Sequence, residues 1–509
     1  MSDWTSGYVA DIGYTYGYYA ELNPLRIKLA FLSQGLVCPD VGAACELGFG
    51  QGLSANMHAA ASTVQWSGTD FNPSQAAFAQ ELAVASGSGA RLFDEAFADF
   101  ANRADLPDFD YIGLHGIWSW ISDENRAVIV EFIRRKLKVG GVLYISYNTQ
   151  PGWAAFAPMR HLMVEHAETM GAQGQGIVSR VEGALNFAEK LMATNPAYAR
   201  ANPLMSERLT KLKSHSREYL AHEYFNRDWH PMHFSKMAEW LEPAKVQFCC
   251  SANYIELIDA VNISAEQAAL LAEIPDAMLR QSMRDFMLNQ QFRKDYWVKG
   301  LRRISAIDKA EMQRSQRIIL TTYRADVPLK VTGALGEATL QEEVYNPILD
   351  LLADHRPRSI GDIEMALKDQ NIQLSQVIQA VMLLSGMGHL YPVQEVTPQN
   401  SKKANSLNLH LMQQARGSKD VIFLTSPLTG GGHEVHRFQQ LFLLAYKNGK
   451  KSPADWAQYA WSVLSAQNQK LLKLGQVLES AEDNLAELNT MARIFEDKQL
   501  PVLKALLIA

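Results

Sequence analysis

The stretch Ala43-Ala44-Cys45-Glu46-Leu47-Gly48-Phe49-Gly50-Gln51-Gly52, running into the helix-like segment Leu53 to Ala61, decides how this chain is read. A short apolar run ends in an acidic residue, three glycines follow at alternate positions, and a helical pattern opens. That is the layout of a strand, a tight glycine turn and a helix N-terminus, where a ligand comes close to bare backbone. Gly48, Gly50 and Gly52 follow G-x-G-x-G. The dinucleotide fingerprint places its third glycine one position later, where this chain has Leu53. A phosphate loop needs Lys and then Ser or Thr after its last glycine, and neither is present.

Strands and helices alternate outward from this turn. Leu25 to Ser33 is a helix pattern. Val64 to Thr69 reads as a second strand, ending at Asp70-Phe71-Asn72-Pro73, with Pro73 or Ser74 opening a helix over 75–86. Ala90 to Phe93 is a short third strand, followed by Asp94-Glu95, and Phe109 to Leu114 is a fourth. A helix from Asn125 to Leu137 precedes Gly140-Gly141 and a fifth strand, Val142 to Tyr147. This order predicts an α/β domain with a mostly parallel, doubly wound, Rossmann-like sheet. Ligands of such sheets bind beyond the strand C-termini, where these polar residues collect.

The chain has 509 residues, which implies two or three domains. A hydrophobic content of 47%, a charged content of 20% and a net charge of −6 describe a globular protein without a general nucleic-acid footprint. The cysteines, Cys38, Cys45, Cys249 and Cys250, contain no C-x-x-C pair and suit a reducing compartment. The first residues lack the basic region and apolar core of a signal peptide, and no stretch is apolar for long enough to span a bilayer. The expectation is a cytoplasmic protein with no membrane span.

E-x-G-x-G-x-G resembles motif I of class I S-adenosylmethionine methyltransferases. The resemblance implies S-adenosylmethionine as cofactor and gives each strand end a task. Amides after Gly52 meet the methionine carboxylate, and Glu46 orients water or the amino group there. Asp70, 18 residues beyond Gly52, accepts both ribose hydroxyls, with Phe71 beside it. Glu95 by its side chain and Ala96 by its backbone read the adenine. The competing readings are a helix cap for Asp70 and a solvated loop acid for Glu95.

Methyl transfer is an in-line displacement that needs close approach and an uncharged nucleophile, and aromatic faces stabilise the cations involved. Such groups occur in His115-Gly116-Ile117-Trp118-Ser119-Trp120 and in Ser146-Tyr147-Asn148-Thr149-Gln150-Pro151-Gly152-Trp153. Together these resemble a bacterial family of class I methyltransferases carrying a methyltransferase regulatory domain, with motifs like HGVYSW and SYNTYPGW. That family includes rickettsial protein-lysine methyltransferases acting on outer-membrane proteins. Further matches lie in His222 to Asn226, in Arg284 to Phe286 through Asn289, and in Phe292 to Asp295. The likeness covers roughly residues 8–300, and more loosely continues to about 395. Gln51 and Leu53-Ser54 replace the usual Asn-Gly-Gly run, and Trp118 stands where Tyr is common.

The resemblance implies an aromatic-walled site for a neutral lysine amine on a protein substrate. The candidate catalytic residues are Tyr16 and Tyr19 from a tyrosine-rich N-terminal arm, His115, Trp118, Tyr147 and Asn148, with His115 also counted toward the cofactor. Packing of Trp118, Trp120 and Trp153 between helices, and a structural role for His115, are the alternatives. In the arm, which begins with Trp4, Tyr8 and Tyr14, the alternation of Tyr14, Tyr16 and Tyr18 also fits an edge strand.

Four segments are expected: a methyltransferase domain to 155, a mainly helical regulatory or substrate-recruiting domain over 156–327, a winged-helix-like module over 328–395, and a helical region over 396–509. No strand series is evident in the second segment. The third reads as helices over 340–352, 360–367 and 375–387 followed by a strand, and its last helix has no Lys or Arg for phosphate, which argues against DNA. In the fourth, Val421 to Thr425 reads as a strand, His433 and His436 as one helix face, and 454–488 as one long amphipathic helix, packed on its own chain or making a homodimer contact. His222-Glu223 with His230 and His233 does not follow H-E-x-x-H, so no metal is assigned. The expected activity is methyl transfer to protein lysine. A small-molecule or cell-surface glycan acceptor, or a non-catalytic S-adenosylmethionine sensor, are the alternatives.

Overall fold

The computed structural model describes residues 15–171, 174 and 176–509. Seven strands form one sheet: β1 (Ala43–Leu47), β2 (Gln65–Asp70), β3 (Arg91–Asp94), β4 (Phe109–Leu114), β5 (Leu137–Asn148), β6 (Gln247–Ser251) and β7 (Phe292–Val298). Their order is β3-β2-β1-β4-β5-β7-β6. β1 to β5 pair in parallel, while β7 runs antiparallel to both β5 and β6. The helix α1 (Pro24–Ser33) precedes β1, and the helices between the parallel strands are α2 (Leu53–Ala61), α3 (Pro73–Ser86), α4 (Phe97–Ala101) and α5 (Asp123–Lys136).

Local chemistry fixes these boundaries. α3 starts where the Asn72 side chain accepts the Ser74 N–H at 3.0 Å and Pro73 occupies the first turn. α5 is capped by Ser122, carries Asp123 and Glu124 in its first turn, and ends in Arg134, Arg135 and Lys136, the charge order its dipole favours. Apolar side chains fill both faces of the sheet. One core joins α1, Tyr111, Tyr144 and Tyr296 to the module around residues 318–390. The other packs α5, Trp118, Tyr147 and Phe234.

Two strands from the segment expected to be helical, β6 and β7, complete the sheet. Their sequences, Gln-Phe-Cys-Cys-Ser and Phe-Arg-Lys-Asp-Tyr-Trp-Val, gain partners from β5 and from each other, a long-range pairing that local periodicity does not report. Helices at Glu342–Leu351, Ile360–Ala366 and Leu374–Gly386 and a strand at Leu390–Pro392 lie where the spacing puts them. The strand pairs with Arg317–Leu320 upstream.

The C-terminal region differs from its expected form in two places. The long helix is broken into Pro453–Ser465 and Ala481–Ile494 by a hairpin turning at Leu474-Gly475, both with positive φ. His433 lies in a strand, Gly431–Glu434, paired with Phe423–Ser426, while His436 caps the following helix. The region does not stand apart. The helix Pro398–Gln414 packs on α2 and α3, and the hairpin formed by Phe423–Ser426 and Gly431–Glu434 packs on α2, which leaves every residue of α2 buried. The arm is not an edge strand over 15–19, and Ala20–Leu22 is one turn of 3₁₀ helix. Trp4, Tyr8 and Tyr14 lie outside the described residues.

Candidate functional site

A cavity opens at the C-terminal ends of β1 to β4, where the strand order reverses between β1 and β4. Gly48, Gly50 and Gly52 all have left-handed φ, at 71°, 58° and 66°. A Cβ on Gly48 would meet Ile117 Cδ1 at 2.3 Å, and one on Gly52 would meet the Ala79 Cβ at 2.5 Å. Conformation and close approach therefore both select glycine at these two positions. The Gly48 N–H donates to the Thr69 carbonyl at 2.8 Å and ties the turn to the end of β2.

Glu46 and Asp70 end adjacent strands and both are buried. Asp70 accepts the Gly50 N–H on Oδ2 at 2.8 Å and the Asn72 N–H on Oδ1 at 3.0 Å. Burial pushes its carboxyl up to about 6, against the pull of those two N–H groups. Burial, with Asp70 adding to it, pushes Glu46 up to about 8. Glu46 Oε2 has no hydrogen-bond partner among the described residues, and the same holds for Glu95 Oε2. Glu95 is held by Arg103, whose Nη1 donates to Oε1 at 2.6 Å, and its carbonyl accepts from Thr69 Oγ1. Ala96 is the residue before α4.

The opposite wall is aromatic. The Tyr19 and His115 rings stack with centroids 3.7 Å apart. His115 Nδ1 and the Tyr144 hydroxyl share a 2.7 Å hydrogen bond. Burial holds the imidazole down near 3, with Glu21 working against that shift and Lys294 with it, so His115 is neutral at pH 7. Gly116 N–H donates to Ser146 Oγ at 2.9 Å, which fixes the loop after β4 to β5.

Of the residues singled out from the sequence, Glu46, Gly48, Gly50, Asp70, Phe71, Glu95, Ala96, Tyr19 and His115 line one cavity. Five others do not line it. Gly52 is the turn residue behind it, packed on Ala79. Tyr16 lies edge-on to Phe78 of α3, centroids 5.0 Å apart. Trp118 is fully buried on the other face of the sheet, with Nε1 3.3 Å from Met232 Sδ and its ring edge-on to Trp240. Tyr147 shares that core because alternation along β5 turns it away from Tyr144, and its hydroxyl donates to Asp295 Oδ2 at 2.9 Å. Asn148 is buried, its N–H donating to Ser119 Oγ at 2.8 Å.

Other lining residues carry weaker sequence signals. Gln51 and Ile117 sit inside motifs already noted, and Trp120 is two residues past Trp118 on the short turn Trp118–Trp120. Asp228 comes from more than a hundred residues away. One side-chain and one backbone hydrogen bond bring it in, since Trp120 Nε1 donates to the Glu223 carbonyl at 3.2 Å and His230 N–H to that of Ser119 at 2.8 Å. His230 faces Asp228 and His233 stacks on Phe286, so these two histidines serve different neighbours.

The sheet order and the cavity at its switch point define a class I methyltransferase fold. PKMT2 from Rickettsia typhi, solved in complex with AdoHcy, has the same overall fold, with a TM-score of 0.70 at 16% identity over 97% of this chain and all of that one. Residues 216–299 match the family described as predicted methyltransferase regulatory domain. That segment supplies β6 and β7, so it is built into the sheet. Over 510 aligned residues the chain is 39% identical to protein sll1526 of Synechocystis sp., covering 99% of each, and it belongs to that protein's family. It is also 31% identical to RP028 of Rickettsia prowazekii over 117 residues, 23% of this chain and 45% of that protein. No helix among the described residues is long and apolar enough to cross a membrane.

Proposed function

We propose that this chain is an S-adenosylmethionine-dependent methyltransferase whose acceptor is a lysine side chain of a protein. The observation that carries the reading is the pair of buried carboxyls, Glu46 and Asp70, set beside a left-handed glycine turn, with one buried Glu46 oxygen lacking a partner. A buried acceptor without a donor is costly, and a ligand amine or hydroxyl would satisfy it. The fold it shares with PKMT2, solved with AdoHcy, supports the same cofactor.

Glu46 would hold the amino group and the α2 N-terminus the carboxylate, Asp70 the ribose hydroxyls, and Glu95 with Ala96 the adenine. S-adenosylmethionine supplies a methyl group on a positively charged sulfur, open to in-line attack by an uncharged nucleophile. Tyr19 and His115 exclude water from one side of the cavity and present ring faces to a cation. A neutral His115 adds no repulsive charge there. Asp228, which lines the cavity, would give an incoming ammonium a carboxylate to meet, and desolvation within the cavity would favour the free amine.

Transfer of labelled methyl to a dialysed host lysate, with mass-spectrometric mapping, tests this. Label on lysine of a defined protein supports the reading, and label confined to small-molecule or glycan fractions redirects the acceptor. Binding of AdoHcy without any transfer points to the sensor alternative.

A further inference from the structure

Two consecutive residues of the arm point in opposite directions. Tyr19 lines the cavity and stacks on His115, whereas Tyr18 turns toward the C-terminal region. The Tyr18 hydroxyl lies 3.1 Å from His58 Nε2 on α2, and its ring is 5.6 Å from that of Phe423. The facing strand is Gly431–Glu434, and at Gly431 and Gly432 it approaches so closely that no side chain fits. A Cβ on Gly431 would lie 2.1 Å from the Tyr18 hydroxyl, and one on Gly432 would lie 2.6 Å from Met57 Sδ and 3.0 Å from the Tyr18 ring. These glycines do not have positive φ, so close packing is the reason for them. Further along, Asn23 Nδ2 donates to the Thr429 carbonyl at 3.0 Å. The C-terminal region also grips α2, since Asn400 Nδ2 donates to the Ala61 carbonyl at 3.1 Å, and Gln394 Nε2, just before that region, bridges the carbonyls of Ala61 and Pro427 at 2.7 and 2.9 Å.

We propose that the hairpin Phe423–Glu434 clamps the arm over the site, with Tyr18 as the positioning residue that sets Tyr19 against His115. The assignment of that site to methyl transfer rests on the preceding reading; the clamp itself does not. The Tyr19 N–H donates to Ser54 Oγ at 2.9 Å, a bond that exists only while the arm is seated and so reports on the clamp.

The test is hydrogen exchange of the Tyr19 amide and NMR titration of the His115 imidazole in Gly431→Ala, in Tyr18→Phe and in the double variant. In Gly431→Ala the added methyl collides with the Tyr18 hydroxyl, so Tyr19 exchange speeds up about tenfold or more. The His115 midpoint then rises toward that of a solvated histidine, because the ring loses Tyr19 as cover while Glu21, Lys294 and Tyr144 stay beside it. Tyr18→Phe alone, which adds no volume, speeds exchange by a smaller factor. In the double variant the closest colliding atom is gone, leaving Asn23 Nδ2 at 3.0 Å and the ring carbon Cζ at 3.2 Å as tight contacts, and exchange falls back part of the way toward the Tyr18→Phe rate. That rescue separates positioning from general damage to the fold. Parent-like Tyr19 exchange and an unmoved His115 midpoint in folded Gly431→Ala would overturn the proposal. If that variant does not fold, unchanged exchange in Tyr18→Phe overturns it equally. None of these readouts uses methyl transfer, so failure of the functional reading leaves them intact.

Discussion

The two walls of the cavity are built in different ways. The wall carrying Glu46, Asp70, Glu95 and Ala96 comes from three strand ends within about fifty residues, each set by its own turn. The opposite wall takes Tyr19 from the arm, His115 and Trp120 from the loop after β4, and Asp228 from far downstream. The first wall is a local product of strand–turn–helix chemistry. The second depends on packing that involves the C-terminal hairpin and the segment 216–299. Variants should therefore separate ligand contacts on the first wall from support contacts behind the second.

The largest effect is expected away from both walls. Trp118→Ala empties a fully buried site and should cost about 3–5 kcal/mol in denaturant unfolding, while the protein that remains folded still binds AdoHcy. Loss of AdoHcy binding in folded Trp118→Ala would return Trp118 to the site. Asp70→Ala should weaken AdoHcy about 100-fold by calorimetry, the loss of about two charge-assisted hydrogen bonds, and should also lower unfolding stability, since the Gly50 and Asn72 N–H groups lose their acceptor. Equal affinity in that variant would break the assignment of the first wall. Tyr19→Ala should raise the acceptor KM about tenfold and leave AdoHcy affinity nearly unchanged, from loss of one aromatic face. A larger loss of AdoHcy affinity would merge the two walls into one.

The smallest effect is a pH signature at Glu46. Its carboxyl is held up to about 8 in the folded chain, above the ordinary carboxylate value, so the native state keeps a proton that the unfolded chain releases. Stability from this group is full below about pH 4.5 and is lost as pH rises through 8. Glu46→Gln should therefore raise Tm, relative to the parent, more at pH 8 than at pH 5. The buried His58, His115 and His433 are depressed by burial, to about 3, 3 and 4, and act in the opposite sense. They keep stability above the ordinary histidine value of about 6.5, and that stability falls as the pH drops toward 3.

Individual residues show why one wall was legible in the sequence and the other only in part. Gly48, Glu46 and Asp70 were readable because each is fixed by its immediate neighbours: a turn that demands left-handed backbone, and strand ends of clear periodicity. Trp118 and Tyr147 sit in the motifs but pack in the core on the other face of the sheet, because motif membership says nothing about which face a side chain takes. Tyr147 sits three residues from Tyr144 on an alternating strand, so it necessarily faces the other core. Tyr16 and Tyr19 look equivalent in a tyrosine-rich arm, and only the seat of Tyr18 between His58 and Gly431-Gly432 decides which of them enters the cavity. Strands β6 and β7 were missed because their partners lie far away in sequence.

By itself the sequence determined the parallel strand–helix core, the glycine turn and the acids at its strand ends, since those follow from local backbone geometry and periodic burial. The tertiary structure alone decided the antiparallel edge of the sheet, the burial of α2 beneath the C-terminal region, and the identity of the aromatic roof. Each of these rests on contacts between residues that are distant in the chain, where the packing of particular side chains against backbone, as at Gly431 and Tyr18, selects one arrangement.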